Sequence, residues 1–218
     1  MSDDPAPLPL IMPLGDHGLL MRFATTLSEA ANRRAVGFVA KVEAARLPGV
    51  VEVVPNLASV LIRYVPSIVE FERLAGEVRL LVAGPEADAV DGRVHSVTVE
   101  FAGEDLDEVA AIVGVSRSAF VAMHCAQPLR VLATGFAPGF VYLGFHAEAL
   151  RVPRRAAVRS RVPAGTVLFA AGQTAITSTD IPTGWHVIGR TAFRNFDPSV
   201  APPTRLAAGD MVRFEVAG

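Results

Sequence analysis

The stretch from Thr134 to Thr191 constrains the fold more than any other part of the sequence, because it shows no helical periodicity. Seven glycines and four prolines interrupt it, and three short β-prone runs lie between them: Thr166–Ala170, Thr174–Thr179 and His186–Ile188. Short strands separated by such turn residues are typical of a β-barrel or a β-sandwich. We therefore expect a β structure in the second half of the chain, with a closing strand near the C-terminus at Met211–Val216.

The first third of the sequence alternates between strand-like and helix-like patterns. Period-two alternation predicts strands, and apolar residues spaced three and four apart predict helices. In chain order, we expect a strand at His17–Ala24, a helix that Ser28 caps and Pro48 ends, strands at Val50–Val54 and Ala58–Val65, and a helix at Ser67–Val82. A further strand at residues 8–14 is compatible with this unit, and the order predicts a small α+β domain.

An acidic, turn-rich segment at residues 84–93 is the best candidate for a domain boundary. It separates a predicted α+β domain at residues 1–83 from a predicted β-barrel domain at 94–218. After it, we expect a strand at Val94–Phe101, a helix with a D-x-x-E capping-box start at Asp105, a helix capped by Ser116, and a strand at Gln127–Thr134.

Composition excludes several classes of function. The charges nearly balance, with 20 basic and 22 acidic residues, so the sequence does not predict a nucleic-acid-binding protein. No apolar stretch has the ~18 residues that a membrane span needs. A single cysteine, Cys125, excludes an intrachain disulfide and fits a reducing cytoplasm, and the N-terminus lacks a signal-peptide pattern. The single lysine, Lys41, lies in a helical pattern where we expect a solvated side chain.

The glycine-rich stretch also carries the candidate site. Its aromatic residues can form apolar walls, and its arginines, among them Arg154, Arg155 and Arg190, outnumber the two local acidic residues, Glu148 and Asp180. Arginine binds carboxylate and phosphate groups through two parallel hydrogen bonds. The stretch therefore predicts a site for a small anion or a contact with an acidic partner, although an ordinary solvated loop accounts for the arginines equally well.

The sequence resembles the family called allophanate hydrolase subunit 1, which includes the B subunit of bacterial 5-oxoprolinase, the kinase inhibitor KipI and a carboxyltransferase segment of urea carboxylase. The residues that carry the resemblance are GFAPGF at 135–140, YLG at 142–144, PRR at 153–155, RVPAGTV at 161–167, GQT at 172–174, GWHVIGRT at 184–191 and FDP at 196–198. His124, in the preceding helix, also matches. The family pattern has a glycine pair before GQT, where this chain has Ala171-Gly172.

The resemblance implies a cyclophilin-like β-barrel and a non-autonomous subunit of an ATP-dependent amide or lactam hydrolase, with 5-oxoprolinase as the first candidate. It also implies two partners, an allophanate hydrolase subunit 2-type protein (the C-type subunit of 5-oxoprolinase) and a third, A-type subunit, as well as a small carboxylate substrate. ATP would be used by the complex. The implied substrate- or partner-binding residues are His124, Phe136, Pro138, Gly139, Phe140, Tyr142, Arg154, Arg155, Gln173, Thr174, Trp185 and Arg190.

Alternatives remain at several of these residues. His124 is either a packed, hydrogen-bonded core residue or part of the site, and Cys125 is more often a buried structural thiol than a nucleophile. Adjacent helix residues point about 100° apart, so we expect no direct pairing of His124 with Cys125. Histidine spacing predicts no metal site. At the level of function, the alternative is a KipI-like inhibitor that binds a sensor histidine kinase.

Overall fold

The computed structural model describes residues 9–84 and 92–218. The chain divides into two compact units, residues 1–90 and 91–218. Most of the segment predicted as a linker, 85–91, lies outside the described residues, so the domain boundary at 84–93 stays a prediction. The α+β fold class is confirmed, because the described residues combine four α-helices with antiparallel and mixed sheets. No helix among the described residues has both the length and the apolar character that crossing a membrane requires.

The first unit is a four-stranded antiparallel sheet with two helices. Its elements are β1 (Leu10–Leu14), β2 (Gly18–Arg22), α1 (Glu29–Ala45), β3 (Val50–Asn56), β4 (Ser59–Tyr64) and α2 (Phe71–Ala83). The strands lie in the order β1, β2, β4, β3. Alternate residues of β2 and β4, such as Leu19, Met21 and Ile62, are buried with Phe38 of α1 and Leu74 of α2. The predicted order of elements is therefore confirmed.

Two details of this unit differ from expectation. The helix α2 begins at Phe71 instead of Ser67, because Ile68 and Val69 both donate their backbone N–H to the carbonyl of Val65 in a turn. Lys41 is half-buried, and its Nζ lies 3.2 Å from the Leu81 carbonyl oxygen and 3.4 Å from that of Gly84. The solvated role predicted for Lys41 is wrong, since the last carbonyls of a helix lack partners within it and attract a cation.

The second unit contains the remaining elements. They are β5 (Val94–Val99), α3 (Leu106–Val113), α4 (Arg117–Cys125), β6 (Leu129–Thr134), β7 (Val141–Gly144), a 3₁₀ turn (Glu148–Leu150), β8 (Arg159–Val162), β9 (Thr166–Ala170), β10 (Gln173–Ile176), β11 (Ile181–Thr183), β12 (His186–Arg190) and β13 (Met211–Val216). Seven strands form one sheet in the order β12, β9, β10, β7, β6, β13, β5, and β8 pairs with β11.

The seven-stranded sheet closes on itself. Its outermost strands are β12 and β5, and Arg190 at the end of β12 exchanges two backbone hydrogen bonds, of 2.8 and 2.9 Å, with Glu100, which follows β5. All seven strands contribute to one buried core together with α3 and α4; examples are Val131, Leu143, Phe169 and Phe214. Closure of this kind gives the predicted barrel, and we call the face that lines this core the inner face.

The opposite, outer face carries a second apolar cluster. It contains Leu168 and Ala170 of β9, Ala175 of β10 and Val187 of β12, and the β8–β11 pair covers it with Val162 and Ile181. Strands that are buried on both faces explain the unbroken apolar run Val167–Ala170, in which no residue is exposed.

Candidate functional site

The motif Gln173-Thr174 divides the predicted site into two groups, because these neighbours on β10 project to opposite faces of the sheet. Gln173 pairs with Ala170 of β9, whose side chain belongs to the outer cluster. Thr174 pairs with Phe169 and Leu143, whose side chains belong to the inner core. The sequence predicted one set of residues, and the barrel separates that set into an outer and an inner site.

The outer site is a row of aromatic rings, which we call the aromatic cluster: Phe136, Phe140, Tyr142 and Trp185. The ring centroids lie 5.5 Å apart for Phe136 and Phe140, 4.8 Å for Phe140 and Tyr142, and 6.1 Å for Tyr142 and Trp185. The small side chains of Ala170 and Ala175 pack in the same outer cluster as Tyr142 and Trp185. Tyr142 pairs with Ala175, so the tyrosine and Gln173 lie on the same face of adjacent strands.

Arg154 adds a positive charge to the aromatic cluster. Its guanidinium carbon lies 5.7 Å from the centroid of Trp185, which is a cation–π contact. Burial raises the pKa of the Tyr142 phenol, and the charge of Arg154 opposes this rise. The arginine itself is exposed and forms no ion pair among the described residues. It is therefore available to an incoming anion.

Gln173 supplies an unsatisfied donor beside these rings. Its residue is 7% exposed, and Nε2 is buried without a hydrogen-bond partner in the described part of the chain. A buried donor without a partner costs about 1–3 kcal/mol, so an acceptor oxygen placed there would relieve that cost. The outer site thus combines apolar walls, one amide donor and one guanidinium group.

The loop between β6 and β7 positions two rings of the aromatic cluster. Phe136 is 72% exposed and has a positive φ of 76°. Pro138 precedes Gly139, which has a φ of 68° and whose carbonyl accepts hydrogen bonds from Ser178 Oγ (2.9 Å) and Asn195 Nδ2 (3.2 Å). These bonds fix the turn that leads into buried Phe140, which explains why a proline and a glycine occur here.

The inner site is a threonine hydroxyl held between two histidines. Nε2 of His124, on α4, and Nε2 of His146, after β7, each lie 2.8 Å from Oγ1 of Thr174. His124 and Thr174 are fully buried, and His146 is half-buried. The two imidazole rings lie 4.7 Å apart.

Aromatic residues enclose the inner site. The ring of His124 lies 5.1–6.0 Å from the rings of four phenylalanines: Phe101, Phe120, Phe169 and Phe214. Burial lowers the pKa of His124 well below its ordinary value, and the nearby His146 lowers it further. Burial also lowers the pKa of His146, to about 4. Both imidazoles are therefore neutral at neutral pH.

Cys125 contacts the inner site, which corrects an expectation from helix geometry. Its Sγ lies 3.9 Å from Nδ1 of His124, within hydrogen-bonding distance for sulfur. The prediction that the two side chains do not meet is wrong, because Nδ1 is the ring nitrogen nearest the backbone and reaches the next residue. Burial raises the pKa of the Cys125 thiol, which opposes a nucleophilic role and keeps the proton on sulfur.

Most arginines of the glycine-rich stretch pair with acidic residues in the folded unit. Asp105, which is 3% exposed, accepts hydrogen bonds from Arg155 and from both terminal nitrogens of Arg159, the latter at 2.7 Å. The Val187 backbone N–H also donates to it at 2.7 Å. The predicted capping box at Asp105 is wrong, because its carboxylate makes no cap to α3 and binds these groups instead.

Two further arginines of the stretch form ion pairs, and the side chain of a third is exposed. Arg151 pairs with Glu148, and Arg161 pairs with Asp180, whose oxygens also bind the Ala164 N–H. Arg190 has an exposed side chain, and its backbone closes the barrel. Among the arginines predicted to bind an anion, Arg154 is the one that the fold leaves beside the aromatic cluster.

One group of side chains has the spacing of metal ligands. Ligand atoms of Asp105, Glu108 and His186 lie within 4.8 Å of one another, and Nδ1 of His186 is buried without a partner among the described residues. Both oxygens of Asp105 already accept guanidinium donors. A cation at this position would face the charges of Arg155 and Arg159, so the arrangement suits an ion-pair network better than a metal ion.

Sequence reasoning missed His146, Asp105 and Arg159. His146 comes two residues after the YLG motif, but nothing near it in the sequence indicates a partnership with residues 124 and 174. Asp105 and Arg159 are 54 residues apart. Local patterns do not report such pairs, because they depend on strand order and register.

Comparison with known proteins agrees with this architecture. The family model for the carboxyltransferase domain, subdomain C and D, matches residues 9–206. The chain is 33% identical over 215 residues to the B subunit of 5-oxoprolinase from Bacillus subtilis (strain 168), covering 92% of this chain and 90% of that protein.

Solved structures show the same fold. The crystal structure of TTHA0988 superposes with a TM-score of 0.81 at 38% identity, covering 92% of this chain. This chain spans only 40% of TTHA0988. The Kluyveromyces lactis urea carboxylase, at 16% identity, has a TM-score of 0.79 over 96% of this chain and 22% of that one, and it supports the fold alone. The resemblance expected from the sequence motifs is confirmed, and the chain belongs to the family of the carboxyltransferase domain, subdomains C and D.

Proposed function

We propose that the chain is a subunit of a cytoplasmic, ATP-dependent hydrolase of the 5-oxoprolinase type and is inactive without its partner subunits. In this reaction, 5-oxoproline, ATP and two water molecules give glutamate, ADP and phosphate. A relative that matches over nine-tenths of its length is named as the B subunit of 5-oxoprolinase, and this name supports the assignment. Because that name describes one subunit among several, it also supports partners of the C and A types, and in our proposal the assembled complex binds the ATP.

The observation that carries the proposal is the buried, unpaired Nε2 of Gln173 on the same face as Tyr142 and Trp185. 5-Oxoproline is a flat five-membered lactam with one carboxylate and one ring carbonyl. In our proposal, the carbonyl oxygen accepts from Gln173, the carboxylate pairs with Arg154, and the ring packs on the aromatic cluster. Small-molecule sites commonly have this composition of apolar walls with a few polar groups.

Five of the other predicted residues have supporting roles in this proposal. Pro138 and Gly139 hold the loop that carries Phe140. Exposed Phe136 contacts a partner subunit, which would bury a large apolar side chain that is now 72% exposed. Arg155 stays paired with Asp105 and stiffens the segment that carries Arg154.

The test is reconstitution with subunits of the C and A types, followed by an assay of glutamate released from 5-oxoproline with and without ATP. A hydrogen bond to a charged group is worth about 1.5–3 kcal/mol, so Arg154→Ala raises KM for 5-oxoproline by about 10–100-fold. Gln173→Ala lowers kcat/KM by up to about tenfold, since it removes a neutral donor worth about 0.5–1.5 kcal/mol. Arg151→Ala is the matched control, because this exposed arginine lies in the same segment and, among the described residues, its one ion pair is with exposed Glu148.

Two results would overturn the proposal. One is glutamate release by the isolated chain or without ATP. The other is the absence of release in every combination of subunits, together with inhibition of a sensor histidine kinase, as the KipI alternative predicts.

A further inference from the structure

The proposed function uses none of the hydrogen-bonding side chains of the inner site. The arrangement of these side chains determines which of their atoms carry protons. Thr174 has one hydroxyl proton, but its oxygen is 2.8 Å from two imidazole nitrogens. The hydroxyl can donate to only one of them. The other imidazole must therefore donate its own Nε2–H to Thr174, so the two histidines are different tautomers.

The position of Cys125 determines which histidine adopts which tautomer. Its thiol keeps its proton, and Sγ lies 3.9 Å from Nδ1 of His124. An imidazole nitrogen is a good acceptor, whereas thiol sulfur accepts weakly, so the favoured bond runs from S–H to Nδ1. With Nδ1 as acceptor, neutral His124 carries its proton on Nε2 and donates it to Thr174. Thr174 then donates to Nε2 of His146.

The last member of this row is His146. Because its Nε2 accepts from Thr174, its own proton lies on Nδ1. Nδ1 of His146 has no hydrogen-bond partner among the described residues, and the residue is half-buried whereas His124 and Thr174 are fully buried. The row therefore ends in an uncharged N–H donor at the more exposed end of the inner site.

We propose that Cys125, His124 and Thr174 hold His146 as the Nδ1–H tautomer, and that this N–H binds the carbonyl oxygen of a neutral amide or lactam. A neutral donor suits this position, because a cation would have to be desolvated among Phe169 and the other rings. His124, Thr174 and Cys125 are positioning residues in this assignment. This ligand is a second molecule on the inner face, separate from the 5-oxoproline whose ring carbonyl the proposed function assigns to Gln173 on the outer face. The choice of an amide or lactam rests on that function, whereas the tautomer does not.

The tautomers are measured by nitrogen-15 NMR of the full chain with labelled histidine at a pH of about 7.5, well above both histidine pKa values. We expect a proton on Nδ1 of His146 and on Nε2 of His124. Thr174→Val keeps the shape but removes the hydroxyl, so His146 loses its fixed Nδ1–H form. Thr98→Val is the matched control, because it makes the same change at an exposed position on β5. Equal tautomer populations in the wild type and Thr174→Val, or an Nε2 proton on wild-type His146, would refute the relay.

A second pair of variants tests the direction of the hydrogen bonds from Cys125 to His146 without changing Thr174. Cys125→Ala removes the donor to His124 and lets the row reverse, so the Nδ1–H fraction of His146 falls. Cys125→Ser keeps a donor and keeps that fraction high. Identical spectra for the histidines of these two variants contradict the assigned direction, even if Thr174→Val fails to fold.

The ligand is tested with 2-pyrrolidinone, a neutral lactam, and with buffer alone as the blank. In the wild type, we expect a concentration-dependent shift of the His146 Nδ1 resonance, and Thr174→Val should reduce that shift by about fivefold or more, the loss of roughly one hydrogen bond. If His146 carries the Nδ1 proton but its resonance does not shift with 2-pyrrolidinone, the ligand assignment is refuted and the tautomer assignment is not affected. Neither result depends on turnover of 5-oxoproline, so a failure of the proposed function is seen separately.

Discussion

Asp105 and Arg159 form a two-pronged ion pair in which both terminal guanidinium nitrogens lie 2.7 Å from the carboxylate oxygens. The pair joins the start of α3 to β8 across 54 residues of sequence. Burial raises the pKa of Asp105, but the hydrogen bonds from Arg159 and Val187 and the charges of Arg159 and Arg155 lower it by more, so it lies below its ordinary value. The net shift indicates that the carboxylate stabilises the folded unit.

Removing this charge should destabilise the second unit. Asp105→Asn leaves two guanidinium groups without their shared anion, and breaking one partner of a buried pair costs about 3–5 kcal/mol. Urea unfolding followed by tryptophan fluorescence measures the change, since the one tryptophan, Trp185, lies in this unit. Asp107→Asn, at an exposed position on α3 whose ion pair with Arg117 spans 3.7 Å, should change the unfolding free energy by less than about 0.5 kcal/mol.

The free energy of unfolding should decrease as the pH is lowered below about 6.5. The unfolded chain binds protons at its histidines near 6.5, whereas the pKa of folded His146 is about 4 and burial holds the pKa of folded His124 well below its ordinary value. Between these values the unfolded state holds more protons, so acid lowers the free energy of unfolding. The His146 shift corresponds to about 3 kcal/mol between pH 7 and pH 4.

His146→Gln provides the comparison, because glutamine can hydrogen-bond to Thr174 without titrating. We expect a shallower slope of unfolding free energy against pH between about 4.5 and 6.5 in this variant. Equal slopes in the two proteins would mean that His146 is not held neutral by the fold.

Gly139 should tolerate no side chain. Its φ of 68° is unfavourable for other residues, and a Cβ would overlap Phe196 and lie 2.8 Å from Cβ and Oγ of Ser178. Gly172 has a similar φ of 72° but open space around it, so Gly172→Ala isolates the backbone cost of about 1–2 kcal/mol. Gly139→Ala should cost at least about 2 kcal/mol more in urea unfolding, as overpacking of a tight site does. Equal losses of unfolding free energy in the two variants would show that the contacts with Phe196 and Ser178 do not exclude a side chain at position 139.

Lys41 should stabilise the end of α2. Lys41→Met keeps the length of the side chain but removes the donor to the Leu81 and Gly84 carbonyls, so it should lower the unfolding free energy of the first unit by about 1–2 kcal/mol. Amide hydrogen exchange in α2 measures this, with Arg79→Met as a control on the same helix. Unchanged exchange at residues 78–83 would argue against the cap.

Local chemistry made part of the fold predictable. Ser28 and Ser116 accept hydrogen bonds from Ala31 and Ala119 at 3.2 Å, as their positions before apolar helix patterns predicted. The glycine and proline spacing predicted the short strands of the barrel. The start of α2 was harder to predict from the sequence, because Val65 and the residues after it form a hydrogen-bonded turn that has the same apolar spacing as a first helical turn.

The candidate site was predictable by residue but not by arrangement. Gln173, Tyr142 and Trp185 stood out as polar and aromatic residues among glycines. Their separation from Thr174 follows from strand alternation, which a sequence pattern shows only once the register is known. His146 joins His124 through the β10–β7 pairing, and that pairing is a property of the whole sheet.

The turn between β9 and β10 has a consequence for how this protein can vary. It consists of two residues, Ala171 and Gly172, both with positive φ, and Ala170 pairs directly with Gln173 across it. Inserting or deleting one residue there would turn β10 over, pointing the amide inward at the imidazoles and the hydroxyl outward at the indole. Natural variants can therefore exchange side chains in this hairpin, but its length is constrained from both faces at once.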